Sequence, residues 1–587
     1  MAAQEPALLM KHNWKFHCLL GLVFGFLGLF LVYPIVCVLQ GSFMVEMEGR
    51  NRFTLVFFKL FAESPLMWRC LANSLGLAAL TTFACLLVAT PLAQIFVHYR
   101  FGGKTWWQTL MMSSLILPPF VGAIGMQQVF ARFGTLNHWL GLVGPNVSNP
   151  HPIDWLGAGG FWGVVIMQTL HLFPILFLYA HASLAGIDPA VREAARSLGA
   201  SPARVWRTVT LPLLMPGLFA GSALVFVWAF TDLGTPLVFG LNQVVAVQIF
   251  DKVNETGFNP FGYTLVIVVL AITVGLFAFS RRLLVRGEFV TEKRSTIQED
   301  CEPLRGLKGA LILGGMGLLV LVSLLPHASV VAQSLSDHWF MSALPQKWTT
   351  SHYVEIFTLP LTFTALKNSL LFAAASALLD MVLGVLIAFW LVRREFAGKT
   401  LLDMLTVLPL ALPGLVLAFG YVVGFNVPVK WHGLDLSWLR SVLNPRENPI
   451  ILLIVSYSIR RLPYLVRAAH AGFQQLHVSL EDASRNLGAG RWTTIRRVVL
   501  PLLRGHLVAG GVLTFAFAFL EVSDSLILAM QERYFPVTKA IWSLLGRIEP
   551  GAASVACALG VLGMAVLFAA FYTANRILGK KMGNLFG

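Results

Sequence analysis

Charge is what this chain has least of. Of its 587 residues only 12% are Asp, Glu, Lys or Arg, against 57% hydrophobic, whereas an ordinary soluble domain carries about 25% charged residues. A water-soluble fold of this length has no way to hide so much apolar surface, and that class is excluded. Paired-cysteine chemistry is missing too. Cys18, Cys37, Cys70, Cys85, Cys301 and Cys557 show neither CxxC nor zinc spacing, and most sit in apolar blocks, where a cysteine is usually a small core residue. No metal site and no disulfide framework is implied. HExxH and GxSxG signatures do not occur, so no catalytic residue is assigned and a membrane enzyme is disfavoured. Two Gly-Lys-Thr triplets, 103–105 and 398–400, lack the first glycine of a phosphate-binding loop, because His98 and Arg393 stand there.

What the sequence does hold is apolar blocks of roughly 20 residues, the length that crosses a hydrocarbon core about 30 Å thick. They fall near 18–39, 71–96, 106–130, 160–183, 217–235 and 261–280, then 309–332, 367–391, 401–425, 449–472, 507–529 and 552–574. The reading is an all-α, polytopic membrane protein with about twelve transmembrane helices. Basic residues mark alternate loops: Arg100 and Lys104, Arg192 to Arg207, Arg281 to Arg294, then Arg393 to Lys399, Arg485 to Arg497, and Arg576 to Lys581. By the positive-inside rule these loops and both termini face the cytoplasm. The loop after the first block, with Arg50, Arg52, Lys59 and Arg69, is an exception that Glu46, Glu48 and Glu63 offset only in part. The formal charge of +15 is spread between apolar blocks rather than gathered in one domain, so membrane lipid, not nucleic acid, is the expected partner.

The chain repeats itself. Phe101-Gly-Gly-Lys-Thr recurs as Phe396-Ala-Gly-Lys-Thr, Leu117-Pro118-Pro119 as Leu412-Pro413-Gly414, and Asn73-Ser74-Leu75 as Asn368-Ser369-Leu370, all at an offset of 295. Six spans per repeat put both halves the same way up, as parallel repeats about an axis along the membrane normal with a pathway between them. The expected division is 1–282, a polar cytoplasmic linker at 283–307, and 308–587.

One cytoplasmic loop per half carries the strongest signal. After the fourth span, Asp188 is a good N-cap, Pro189 fits the first helical position, and Gly199 supplies a left-handed C-cap. Ser201-Pro202 starts a second short piece that Leu211-Pro212 closes. The equivalent loop runs from Ser479 to Pro501. Gly199 pairs with Gly488 and Pro212 with Pro501 at an offset of 289, and Ser479 with Asp482 reads as a variant capping box. Polar residues inside spans are the other clue. Arg460 and Arg461 interrupt the tenth span, where an arginine costs about 2.5–3.5 kcal/mol on insertion scales and so faces a cavity or pairs with a carboxylate. Asp232 and, 289 residues on, Glu521 stand in spans five and eleven, with Asp524 close behind. They are candidates for the pathway and equally for partners of the two arginines.

Glu193-Ala194-Ala195, Gly199, Val209, Leu211 and Pro212 resemble, position for position, the EAA loop of type I, binding-protein-dependent ABC importer permeases. The second copy departs with Asp482-Ala483-Ser484 but keeps Gly488, Val498, Leu500 and Pro501. The resemblance covers essentially the whole chain. It implies that these loops are coupling helices docking on a homodimeric cytoplasmic ATPase, which carries the ATP and magnesium. It implies a periplasmic solute-binding protein, a bacterial inner-membrane location and no cofactor in this chain. Thr231-Asp-Leu-Gly-Thr-Pro236 and the fused architecture look like the ferric-iron-type permeases, a group that includes permeases for 2-aminoethylphosphonate and hexose phosphates. A gradient-driven secondary transporter is the alternative, but it leaves the paired loops without a purpose. The arginine pair favours a phosphorus-containing anion as solute, and the family resemblance favours ferric iron.

Overall fold

The computed structural model describes residues 14–47, 50–115, 118–144, 147, 151–253, 261–286, 302–426, 430–431, 434–435 and 442–578. Leu117, most of the expected linker with Lys293, Arg294 and Cys301, and Lys580 and Lys581 lie outside the described residues. The first half runs α1 (Phe16–Phe43), α2 (Pro65–His98), α3 (Lys104–Ser113), α4 (Pro119–Phe130), α5 (Phe161–Ala185), α6 (Pro189–Ser197), α7 (Pro202–Thr231), α8 (Gly234–Phe239), α9 (Val245–Lys252) and α10 (Phe261–Arg286). The second repeats it as α11 (Gly306–Ser334), α12 (Pro360–Arg393), α13 (Lys399–Leu410), α14 (Gly414–Asn426), α15 (Ile450–Gln475), α16 (Val478–Asn486), α17 (Trp492–Phe519), α18 (Ser523–Leu528), α19 (Val537–Leu545) and α20 (Ala552–Leu578). Among the described residues, strands are confined to four two-stranded pairings of two to four residues. The protein is an all-α, polytopic membrane protein.

Among the described residues, nine helices are long and apolar enough to cross a bilayer, and ten when α13 and α14 count as one bent span. That pair meets at 105°. The bend falls on Leu412-Pro413-Gly414: a proline has no N–H to continue the helix and pushes its predecessor out of the helical region. The expected straight span 401–425 is therefore two pieces. In the first half α3 and α4 flank the matching Pro118-Pro119, where Pro118 is non-helical at ψ 135°. The expected span 449–472 is the 26-residue α15, long enough at about 1.5 Å per residue but carrying Arg460 and Arg461 in its middle.

Spans five and eleven also differ from the simple blocks. The fifth begins at Pro202, well before the apolar stretch, and Pro212 does not close it. A π-turn over Trp206–Thr210 precedes Leu211-Pro212, as Ile495–Val499 precedes Leu500-Pro501, with Leu211 N donating to Trp206 O and Leu500 N to Ile495 O, so the wider turn carries the helix up to the residue that lacks a donor. The long helices then end at Thr231 and Phe519, and Asp232 and Glu521 sit in the two breaks.

The first helix of each half packs on the other half. Tyr33 Oη donates to Gly424 O at 3.0 Å and Tyr421 Oη to Phe30 O at 2.6 Å, tying α1 to α14. Gly420 lets Pro34 in so closely that a Cβ would lie 2.9 Å from Pro34 O. Gly125, its equivalent on α4, does the same for α11, at 2.5 Å from Pro326 O. At the ends of α2 and α12 the crossing repeats with the chemistry exchanged: Lys308 lies 4.8 Å over the Tyr99 ring, and Arg394 lies 4.5 Å over the Phe16 ring. Each such contact is a cation–π pair.

Candidate functional site

The two loops build the same knob. Asp188 Oδ1 accepts from Ala190 N at 2.9 Å and caps α6. Gly199 and Gly488 both end their helices at φ +83°, as the sequence predicts, with open space where a Cβ would stand. Leu198 and Leu487, one residue before, are each 89% exposed. The two leucines are thus presented alike to solvent on tight, capped turns. Glu193, Ala194, Asp482 and Ala483 are exposed, and Ala195 and Ser484 half-buried. The capping box at Ser479 does not form: the N-cap of α16 is His477, two residues earlier, whose Nδ1 accepts from Ser479 N at 3.3 Å and meets Ser479 Oγ at 2.8 Å. Asp482 turns instead toward Arg485, at 3.7 Å.

Each knob is tied to the end of the long helix beside it, through residues the sequence reading passed over. In the second half Arg393 Nε donates to Glu481 Oε1 at 3.0 Å and Arg393 Nη2 to Leu476 O at 2.6 Å. In the first half the equivalent residues are His98 and Arg192, and Arg192 Nη1 donates to His98 Nε2. Little in the sequence signals it: Arg192 and Glu481 are the buried members of loop helices whose large apolar residues, Val191, Val478 and Leu480, are exposed.

The second cluster lies inside the second half. Arg460 Nη1 donates to Glu521 Oε1 and reaches Asp524 Oδ2 at 3.4 Å; Arg461 Nη2 donates to Glu521 Oε2 and, at 3.3 Å, to Phe517 O. Ser456 Oγ donates to Asp524 Oδ2 at 2.7 Å, and Ser525 and Thr538 hydroxyls donate to Glu521 O at 2.6 and 2.7 Å. Ser458 Oγ donates to Asp380 Oδ1 at 2.5 Å. Asp380 is fully buried and is a member that sequence reasoning missed, although a lone acid inside the 34-residue α12 is itself a warning sign. Gly414 opens the space: a Cβ there would lie 2.1 Å from Arg460 Nη1. Of the two fates open to the arginines, ion pairing with Glu521 and Asp524 is the one observed.

Asp232 is not part of that cluster. It sits in the first half's break, half-buried, accepting from Gln168 Nε2 at 3.0 Å and from the amides of Gly234 and Thr235 at 3.1 and 3.4 Å. At Arg460's equivalent position His171 Nδ1 bonds Ser114 O at 3.1 Å. Among the described residues no group of three His, Cys, Asp or Glu side chains is arranged to hold a metal ion.

Broken membrane helices at an internal repeat axis, with a matched pair of exposed loop knobs, define a multi-pass transport subunit. The chain belongs to the family of binding-protein-dependent transport system inner membrane components, whose profile matches residues 77–286 and 380–584. It is thus a permease subunit of an ABC importer, a membrane protein that works with an ATPase and a periplasmic binding protein, and ATP hydrolysis takes place on that separate ATPase. It is 28% identical over 522 residues to the putative ferric transport system permease protein FbpB 1 of Haemophilus influenzae, spanning 87% of this chain and 77% of that one. It is 28% identical to the ferric transport system permease protein FbpB of Actinobacillus pleuropneumoniae, spanning 94% and 76%. A shorter match, 31% identical over 38% of this chain, is to the sulfate transport system permease protein CysT of Escherichia coli, of which it covers 76%.

Proposed function

We propose that the chain crosses the inner membrane twelve times as two permease domains, 1–282 and 308–587, with both termini and the linker cytoplasmic. Its two knobs dock on equivalent clefts of a homodimeric ATPase. The observation that carries this reading is the pair Leu198 and Leu487, equally exposed beside glycines of identical φ: two like knobs suit two like sockets. The solute we propose is ferric iron. The relatives that match along most of the chain are named for ferric transport, and the guanidinium pair that favoured a phosphorus-containing anion is occupied by Glu521 and Asp524.

The experiment is reconstitution with the ATPase and binding protein, comparing Gly199→Val/Gly488→Val with Gly199→Asn/Gly488→Asn. A β-branched residue at positive φ is strained, by about 1–3 kcal/mol per site, whereas Asn visits that region. The Val pair is expected to abolish solute-stimulated ATP hydrolysis and the Asn pair to retain most of it. Equal activity of the two would remove the coupling assignment. Uptake of 2-aminoethylphosphonate but not ferric iron by the unaltered complex would overturn the solute.

A further inference from the structure

Close to the two helix breaks lies a contact between the halves that neither the knobs nor the charged cluster accounts for. Trp228 on α7 and Phe517 on α17 are equivalent residues, 289 apart, and their rings meet edge to face, centroids 6.1 Å apart at 88°. Two equivalent residues can touch only where the axis relating the halves passes between them. A pathway between parallel repeats runs along that same axis. The breaks converge there as well, since a Cβ on Gly234 would lie 3.0 Å from Val522 Cγ1. Ala229 and Phe230, and Ala518 and Phe519, are buried in their own halves, while Trp228 and Phe517 are only half-buried. Both rings therefore look into the space between the halves.

Phe517 is braced from its own side. The Arg461 guanidinium lies 5.4 Å from its ring centroid, and the Tyr464 ring packs at 5.4 Å. Arg461 is in turn held by Glu521. Each ring also stands on an unbroken helix that begins beside a knob: α7 runs from Pro202 and α17 from Trp492. A displacement of the knob thus reaches the ring along one continuous helix.

We propose that Trp228 and Phe517 form a two-ring gate closing the solute pathway on the axis, with Arg461 as a positioning residue that fixes Phe517. An apolar constriction of this kind stops water and hydrated solutes, and an edge-to-face pair separates cleanly when the two helices move apart. The inference rests on the permease reading.

The test is Trp228→Cys/Phe517→Cys in the full complex with the ATPase and binding protein, with a protease site placed in the 283–307 linker. Oxidation by copper phenanthroline followed by cleavage leaves the halves joined only if the two positions cross-link. Cross-linking is expected to differ about ten-fold between the nucleotide-free complex and the complex trapped with ATP and vanadate, as a shift between two states requires. The cross-link should also stop solute-stimulated ATP hydrolysis, with recovery on reduction. In the chain that keeps both rings, Arg461→Lys should lower solute-stimulated ATP hydrolysis as Phe517→Ala does, and adding it to Phe517→Ala should lower it no further; a further loss in the double variant would remove Arg461 from the gate. Equal cross-linking in both states, or none in either, in a complex that is active before oxidation overturns the gate alone. A complex whose unaltered chain neither stimulates ATP hydrolysis nor moves ferric iron overturns the permease reading and the gate with it.

Discussion

In the first half the loop helix α6 is tied down by Arg192 reaching His98; in the second, at the same two positions, Arg393 reaches Glu481. The backbone is the same and the chemistry differs. An Arg–His contact needs an imidazole nitrogen as acceptor, so it sets a cation against a neutral ring. Arg393 and Glu481 form an ion pair with 13% and 7% of their side chains exposed. The same contrast runs through the membrane. The second half carries Arg460, Arg461, Glu521, Asp524 and Asp380 in one buried cluster, where the first has Asp232 held by an amide side chain and two backbone N–H groups. The second half thus holds its break by buried charge and the first by neutral donors. Buried charge tolerates the loss of one partner poorly, so the halves should respond very unequally to equivalent changes.

The largest expected effect comes from Arg460→Gln/Arg461→Gln. It leaves Glu521, Asp524 and Asp380 without a counter-charge, and stranding a buried partner costs about 3–5 kcal/mol. A marked drop in melting temperature of the detergent-solubilised chain is expected, with uptake lost alongside. Asp232→Asn in the other half strands no charge and should lower it far less. An unchanged melting temperature with uptake lost would instead return the arginines to the solute pathway.

Next comes the anchor of the second knob. Arg393→Ala leaves the buried Glu481 with only the exposed Arg485, at 3.9 Å, as a counter-charge and should uncouple ATP hydrolysis from transport, with a stability loss below the about 3–5 kcal/mol of a fully stranded buried charge. His98→Ala removes a neutral acceptor and should cost about 1 kcal/mol. Rebuilding the second anchor in the first half's chemistry, Arg393→His with Glu481→Arg, should recover much of what Arg393→Ala loses. Equal losses from Arg393→Ala and His98→Ala, measured as solute-stimulated ATP hydrolysis, would show that the two anchors are energetically alike.

Much of this was legible in the sequence because it is local or periodic. Apolar blocks, the 295 and 289 offsets, and the left-handed glycines at 199 and 488 each follow from a few neighbouring residues. The breaks were harder. Leu412-Pro413-Gly414 was visible as a repeat marker, yet an apolar run reads alike whether straight or bent by 105°. Pro212 looked like a terminator, but the π-turn before it lets the helix continue. The Ser479 capping box failed because His477, one residue before α16, supplied the acceptor first. Whether Arg460 faced a cavity or a carboxylate was decided by the approach of the break after α17, with Glu521, and of α18, with Asp524, to α15, which sequence spacing does not encode.

The smallest effect concerns the departure of the second loop from Glu-Ala-Ala. Ser484 stands where the first half has Ala195, and its hydroxyl meets Thr494 Oγ1 at 3.0 Å. Thr494 is equivalent to Val205, which is buried on the second short helical piece of its own loop. The polar pair in one knob thus replaces two apolar side chains in the other, and the two differences compensate. Ser484→Ala alone removes one partner of a half-buried hydrogen bond and should cost about 0.5–1.5 kcal/mol. Thr494 keeps a second acceptor, Gly490 O at 3.3 Å, which holds the loss toward the low end. Ser484→Ala with Thr494→Val restores the first half's chemistry and should be nearly neutral, so the double-mutant cycle should give a coupling of about 0.5 kcal/mol or more. Simple additivity of the two losses in solute-stimulated ATP hydrolysis and thermal stability would mean that Ser484 and Thr494 act independently. The second knob's departure would then have to be explained at the ATPase surface, through Asp482, rather than inside the loop.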